Sequence, residues 1–169
     1  MVNTIIETQE TSQLFNKENE VLFRPLLLTD IDAVSRICEQ MENFTTPPEY
    51  VYWMMLRTQN KFCQTLLVNN RIISYFLALS TSKTNEIFIW QMGVLNFSLN
   101  KGKFIGFWEY YLQILLENDI KRIYFTFNEK NMKLSSYILR TLGLNQTIIP
   151  TGRYFNYNGV KEYEYFYEF

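Results

Sequence analysis

The sequence contains no histidine and only two cysteines among its 169 residues. Without histidine, a catalytic triad built on an imidazole is excluded, and so is the commonest kind of zinc site. The thiols, Cys38 and Cys63, fall in an apolar helical pattern and in an expected strand. Free cysteines in such places are usually reduced core residues of a cytoplasmic protein. We therefore expect two buried thiols and no metal cofactor.

An excess of one charge and long apolar runs are also missing. The net charge is −1, which gives no basic field for a nucleic acid. No stretch approaches the ~20 apolar residues of a membrane-spanning helix, and the N-terminus lacks the basic-then-apolar order of a signal peptide. These absences predict a cytoplasmic protein that binds neither nucleic acid nor membrane.

The composition that remains is that of a globular domain. Hydrophobic residues make up 47% and charged residues 20% of the chain, and this length suits one domain. Residues 1–19 are polar and weakly periodic, so we interpret them as an arm or a short extra helix. Residues 20–169 are expected to form a single domain.

The apolar pattern predicts elements in the order β-α-α-β-β-β-α-β-α-β. Strands are expected at 21–26, in a hairpin over 62–80 that turns at Asn69-Asn70, and at 86–95, 121–127 and 161–169, with helices over 29–41, 44–59, about 104–118 and 130–144. The strand, helix and strand across 86–127 form a βαβ unit, which implies parallel neighbours. The fold class is therefore α/β (α+β), with a central mixed sheet flanked by helices.

A basic segment, "KGKFIG" (101–106), lies between the strand at 86–95 and the helix after it. We expect residues 96–103 to form a loop there. A basic turn with glycines between a strand and a helix is a common pyrophosphate site. The alternative is a solvated basic turn without a ligand.

The order of elements and several motifs resemble the GNAT acyltransferases, which transfer an acetyl group from acetyl-CoA to an amine. Within that family the similarity is closest to the 2,4-diaminobutyrate acetyltransferases of ectoine synthesis. It is carried by "FRP" with "DIDAV" (23–34), "YVYWMMLRTQNKF" (50–62), "IFIWQMGV" (87–94) and "KEYEYFYEF" (161–169). The resemblance covers roughly residues 21–169. It implies the GNAT fold, acetyl-CoA as co-substrate, and a small-molecule amine, such as a diamino acid, as acceptor.

The resemblance assigns the cofactor to the strand at 87–94 and the segment after it. GNAT loops of the form Arg/Gln-x-x-Gly-x-Gly/Ala bind the CoA pyrophosphate. The matching residues here are Lys101, Gly102, Lys103, Phe104, Ile105 and Gly106. Phe104 replaces the central glycine, so Phe104→Gly should keep or tighten CoA binding if the loop works in the usual way.

The same resemblance gives roles to backbone groups. Met92 and Val94 would pair with the pantetheine arm, and the amide near Gly93 would polarise the thioester carbonyl, as a fixed N–H does for a developing oxyanion. Asn131 matches an asparagine that contacts the cofactor at the start of the last helix. Plain capping of that helix is the alternative.

Candidate catalytic and acceptor residues lie elsewhere. Glu162 and Glu164 are two residues apart in a strand, so both carboxylates point to one face. There they could hold a cationic amine or accept its proton, or lie on a solvated edge strand. GNAT enzymes commonly carry a tyrosine on the last helix as the acid for the leaving thiolate, and the resemblance makes Tyr137 the candidate here, with packing as the alternative.

The resemblance also assigns acceptor contacts to Tyr50, Trp90 and Gln91. In the ectoine enzymes an aspartate lies five residues before the tyrosine that matches Tyr50. Thr45 stands at that position here, so one acidic contact for diaminobutyrate is missing.

Two other functions stay open on the sequence alone. One is a catalytically weak or inactive GNAT-like domain that binds acyl-CoA or a protein partner. The other is an interaction module whose aromatic and acidic C-terminal strand forms a homodimer by strand pairing.

Overall fold

The computed structural model describes residues 20–42, 44–144, 147–157 and 159–169. The expected arm at residues 1–19 lies outside the described residues. Within these ranges seven strands form one mixed sheet in the order β1-β2-β3-β4-β5-β7-β6. The strands are β1 Val21–Pro25, β2 Gln64–Val68, β3 Arg71–Ser80, β4 Glu86–Val94, β5 Arg122–Asn128, β6 Ile149–Tyr157 and β7 Val160–Glu168. The helices are α1 Ile31–Glu39, α2 Glu49–Gln59, α3 Phe97–Glu117 and α4 Met132–Thr141.

Helices cover the sheet on both sides and divide the core in two. α1 and α2 pack on one side, which we call the α1/α2 face; its cluster includes Val34, Tyr52 and Tyr75. α3 and α4 pack on the other, the α3/α4 face, against a larger cluster that includes Phe76 and Tyr111. Among the helices of the described residues, none combines the length and the hydropathy of a membrane-spanning segment.

The predicted hairpin and βαβ unit are confirmed. Asn69 and Asn70 both have positive φ, 50° and 62°, as a two-residue hairpin turn requires. β4 pairs antiparallel with β3 and parallel with β5, so it is central in the sheet. Gly143, with φ of 72°, follows the end of α4 as expected of a C′ glycine.

The predicted loop at 96–103 is wrong, because α3 already begins at Phe97. Asn96 adopts the left-handed conformation, with φ of 45°, and turns the chain directly from β4 into the helix. The Asn100 side chain donates to the carbonyl of Leu95 at 2.8 Å. Phe97 is buried and packs edge-on against Phe104, with ring centroids 5.5 Å apart. Phe104 in turn packs on Phe76 of β3, with ring centroids 6.0 Å apart, and this contact holds the first turns of the helix on the sheet.

The C-terminal part of the sheet also differs from the prediction. β6 (Ile149–Tyr157) was not predicted, since Pro150 and Gly152 interrupt its pattern and its register with β7 shifts between Pro150 and Tyr154. β7 is not an edge strand, because β5 and β6 pair with its two sides. It therefore has no free edge for the strand-paired homodimer that the sequence left open.

Candidate active site

The two parallel strands at the centre of the sheet separate towards their carboxyl ends. β4 and β5 are in register from Glu86↔Arg122 to Ile89↔Phe125. Beyond Ile89, β4 continues along β3 to Val94, and β5 continues along β7 to Asn128. Trp90 is the extra residue of a β-bulge, because Leu77 and Ala78 of β3 face Gln91 and Ile89 of β4. A gap between β4 and β5 therefore opens at the bulge.

The backbone groups that face this gap follow from the hydrogen-bond alternation of β4. Leu95 N–H donates to the carbonyl of Ile73 at 2.8 Å, so in this antiparallel register Gly93 and Gln91 also direct their N–H and C=O groups to β3. The backbone groups of Met92 and Val94 point the opposite way, into the gap. The expected pantetheine contacts of Met92 and Val94 are thus compatible with the geometry. The N–H of Gly93 itself is directed at β3, so it does not face an acyl group in the gap.

Two helices begin beside the gap, since α3 follows β4 and α4 follows β5. Their first amides have no intrahelical acceptor, and their dipoles favour an anion there. The basic segment 101–106, however, lies inside α3 rather than in a loop. Amides from Lys101 onward can donate to carbonyls four residues earlier, within the same helix. A pyrophosphate would therefore meet the first turn of α3 and the lysine side chains, not a cradle of loop amides.

Side chains of the basic segment point in different directions. Phe104 is fully buried and packs on Phe76 and Phe97 at 6.0 and 5.5 Å between ring centroids. Lys101 is exposed, and its Nζ lies 5.8 Å from the ring of Tyr137. Tyr137 also packs edge-on against Phe97. Lys101 and Tyr137 thus lie together between α3 and α4, whereas Phe104 belongs to the core.

A buried polar cluster supports β4 just past the bulge. Tyr75 Oη donates to Gln91 Oε1 at 3.0 Å, and Gln91 Nε2 donates to Cys38 Sγ at 3.1 Å. Burial, and secondarily Cys38, raises the pKa of Tyr75, so its hydroxyl remains a donor. A Cβ on Gly93 would lie 2.4 Å from Tyr75 Cε1, which requires glycine there. Because its amide is already paired on both sides, Gln91 suits a positioning role better than direct acceptor contact.

Both cysteines are free and fully buried, as predicted. Burial raises the pKa of Cys63 to about 11, because the charged thiolate loses its hydration. At pH 8 only about one Cys63 in a thousand would be thiolate.

We expect neither thiol to react with Ellman's reagent in the folded protein, and both to react in denaturant. Rapid reaction of one equivalent in buffer would contradict their burial.

The two predicted carboxylates lie on the α1/α2 face, where β4 and β5 separate. Glu164 is opposite Thr126, one register step past the last β4–β5 pair. Thr126 Oγ1 donates to Glu162 Oε2 at 2.8 Å. Glu164 Oε2 is buried and makes no hydrogen bond within the described part of the chain. A buried acceptor without a partner is costly, so an ammonium group is a suitable ligand for it.

The remaining predicted residues are placed as follows. Trp90 packs on the α1/α2 face against Tyr52, with ring centroids 6.3 Å apart. Tyr50 is 62% exposed in the first turn of α2. Asn131 precedes α4, where its side chain makes no capping bond to the described residues of that helix. Its Nδ2 donates to the carbonyl of Glu42 at 3.4 Å. Asn131 thus links the start of α4 to the segment between α1 and α2.

Sequence reasoning missed Thr126 and the true start of α3. Thr126 had a weak signal, because it is a polar residue between Phe125 and Phe127 in the sequence of β5. The start of α3 had a stronger sequence signal. Its buried residues Phe97, Phe104, Trp108, Tyr111 and Leu115 recur at steps of seven, four, three and four, which is helical spacing.

No protein-family model and no curated protein matches the sequence, but solved structures match the fold. Ard1 from Thermoplasma volcanium aligns with a TM-score of 0.74 at 12% identity, over 88% of this chain and 97% of that one. The diaminobutyrate acetyltransferase EctA from Paenibacillus lautus, solved with L-2,4-diaminobutyric acid and coenzyme A, aligns with 0.72 at 16% identity, over 89% and 96%. An acetyltransferase of the GNAT family from Streptococcus pneumoniae aligns with 0.62 at 9% identity, over 88% and 99%.

These alignments cover nearly all of each solved chain, and the sheet of this chain has the mixed order described above. The chain therefore has the α/β GNAT fold. At these identities the similarity establishes the fold and leaves the reaction to be argued from the site.

Proposed function

We propose that this protein is an N-acetyltransferase that transfers the acetyl group of acetyl-CoA to the primary amine of a small molecule. The observation that carries the proposal is the position of Glu164. One of its carboxylate oxygens makes no hydrogen bond within the described residues, and Glu164 lies on β7 opposite Thr126, the β5 residue at the opening of the gap. A thioester in the gap and an ammonium at Glu164 would be neighbours.

The gap suits the pantetheine arm of acetyl-CoA. The backbone N–H and C=O groups of Met92 and Val94 that point into the gap can hydrogen-bond an extended pantetheine arm, as a sheet does with an added strand. The first turn of α3, with Lys101 and Lys103, offers positive potential for the pyrophosphate. Asn131 lies at the start of α4 on the opposite side of the gap and can contact the same ligand.

The reaction would proceed by direct attack of the amine on the thioester of acetyl-CoA, with both substrates bound in a ternary complex. Glu164 accepts one proton from the bound ammonium, and the neutral nitrogen attacks the thioester carbon. A C–N bond forms, the C–S bond breaks, and the amide loses its second proton to solvent. The departing CoA thiolate takes up one proton, for which Tyr137, whose ring contacts Lys101 and Phe97, is the candidate donor. Glu162, held by Thr126, adds negative charge that attracts the cationic acceptor.

The acceptor that resemblance suggests is a diamino acid. EctA, one of the similar structures, was solved with 2,4-diaminobutyric acid, and the two glutamates of β7 fit a cationic amine. Reduced thiols at Cys38 and Cys63 favour the cytoplasm as the compartment.

Binding of the cofactor is tested by thermal unfolding. Acetyl-CoA at a hundredfold excess over its dissociation constant should stabilise the fold by about 2.7 kcal/mol. That corresponds to a rise in Tm of about 5–10 °C for a chain of this size. Adenosine monophosphate is the control and should shift Tm much less. If neither acetyl-CoA nor CoA shifts Tm at millimolar concentration, the proposed function is wrong even though the fold is GNAT.

Catalysis is tested by release of CoA thiol with a panel of primary amines. The buried cysteines make this assay clean, because they do not consume the reagent. Mass spectrometry should show an added acetyl group on the amine. Binding of CoA without release for any amine would indicate a non-catalytic binder.

A further inference from the structure

The α1/α2 face of β4, β5 and β7 carries its side chains in three ordered rows. The register aligns Glu86, Arg122 and Glu168 in one row and Phe88, Tyr124 and Phe166 in the next. We call these the ion-pair row and the aromatic row. The third, the carboxylate row, contains Thr126 and Glu164 and lies at the opening of the gap, followed by Glu162. Along one strand, neighbouring rows are about 6.7 Å apart, two residues of rise.

The charged groups of the ion-pair row pair mainly with one another. Arg122 bonds Glu86 at 3.3 Å and Glu168 at 3.0 Å, and Glu86 also bonds Lys83 at 3.1 Å. The guanidinium of this row is thus neutralised by two carboxylates. A substrate carboxylate on this face would meet Glu164 and Glu162 at one end. At the other end it would meet an arginine already paired with two carboxylates, whose Nε is buried and makes no hydrogen bond within the described residues.

The aromatic row lies between these two and is half-buried. Tyr124 and Phe166 are in contact, with ring centroids 5.9 Å apart. Arg122 packs its guanidinium 4.8 Å from the Phe166 ring and closes the row on that side. On the other side the row adjoins Glu164. An apolar group could therefore lie on these rings while an attached amine reaches the carboxylate.

We propose that the acceptor is a primary amine joined by a short carbon chain to an aromatic group, without a carboxylate next to the amine. This inference rests on the proposed function, since it places the amine at Glu164 beside the thioester. The aromatic ring of the acceptor packs on Tyr124 and Phe166, which provide apolar surface and favourable aromatic geometry. A two-carbon chain matches the spacing between rows. A free arylalkylamine and the N-terminus of a peptide with an aromatic first residue share this chemistry.

The inference is tested by comparing kcat/KM for matched amines. 2-Phenylethylamine should exceed propylamine at least tenfold, because only the former has a ring. Phenylalaninamide should exceed phenylalanine by a similar factor when each rate is referred to the concentration of neutral amine, because the two then differ in the carboxylate charge that faces the site. 2,4-Diaminobutyrate should be poorer than 2-phenylethylamine. A peptide beginning with phenylalanine separates the two sources: faster acetylation than 2-phenylethylamine identifies a peptide N-terminus, and slower acetylation a free amine.

Variants locate the effect on the aromatic row. Phe166→Ala should lower the kcat/KM ratio of 2-phenylethylamine to propylamine at least tenfold. Tyr163→Ala is the matched control, since Tyr163 lies on the same strand but on the α3/α4 face and contacts Tyr154. It should leave the ratio within twofold. Because both rates come from one preparation, partial unfolding of a variant does not change the ratio.

The outcomes separate this inference from the proposed function. The aromatic acceptor is wrong, while acetyl transfer stands, if 2,4-diaminobutyrate is acetylated at least as well as 2-phenylethylamine. The same holds if Phe166→Ala lowers kcat/KM equally for 2-phenylethylamine and propylamine. If no amine releases CoA and acetyl-CoA shifts no Tm, both are wrong.

Discussion

Replacing Phe104 with alanine should lower the free energy of unfolding by about 3–5 kcal/mol, as for other buried phenylalanines. The side chain has no exposed surface and packs between Phe76 of β3 and Phe97 at the start of α3. Its removal leaves a cavity that these rings cannot fill without leaving their own contacts. For this chain length the loss corresponds to a fall in Tm of about 6–20 °C, measured by circular dichroism or calorimetry.

The matched control lies five residues earlier on the same helix. Leu99 is 77% exposed, so Leu99→Ala removes an apolar side chain without opening a cavity. Its effect should stay within about 0.5 kcal/mol. Equal Tm values for the two variants would show that Phe104 is not in the core. That result would favour the loop expected from the sequence.

This prediction reverses the one that the sequence motif supports. Read as a phosphate loop, "KGKFIG" makes Phe104 an obstacle, and glycine there an improvement. In the structure, glycine at 104 removes a core side chain and adds about 1 kcal/mol of helix-propensity cost. The local motif was misleading because lysine and glycine suggest a loop, while the periodicity of Phe97, Phe104 and Trp108 favours a helix.

What the sequence predicts well is set by short-range rules. The Asn69-Asn70 turn follows from the tolerance of asparagine for positive φ, and the parallel β4–β5 pair follows from the strand–helix–strand order of 86–127. These rules suffice for the mixed sheet and its two helical layers. The short-range rules did not predict β6, because Pro150, Gly152 and a register shift break its alternation.

The candidate site depends on long-range register, which no local pattern supplies. That Glu162 and Glu164 share a face was predictable from strand periodicity. That Glu164 lies one step beyond the β4–β5 separation was not, because it depends on how β7 pairs with β5. The alignment of Tyr124 with Phe166 depends on the same pairing. Sequence therefore gives the type of chemistry, and the sheet register gives its location.

Glu164→Gln should lower kcat/KM for amine acetylation by about 10²-fold or more, the usual contribution of a general base. The amide cannot accept a proton from the ammonium or balance its charge, although it keeps the shape of the side chain. The shift in Tm with acetyl-CoA should be unchanged, because the cofactor groups lie on β4 and α3. Glu162→Gln should cost less, since Glu162 already accepts from Thr126. Glu168→Gln is the control, as Glu168 pairs with Arg122 in the ion-pair row and is half exposed.

The pH profile distinguishes a base from a mere cation site. If Glu164 removes the proton, the defect of Glu164→Gln should shrink as pH rises towards the pKa of the free amine, because the acceptor then arrives neutral. If Glu164 only binds the cation, the variant should raise KM at low pH with little change in kcat. A variant with wild-type kcat/KM across the range would remove Glu164 from the reaction. The proton would then have to leave through solvent in the gap between β4 and β5.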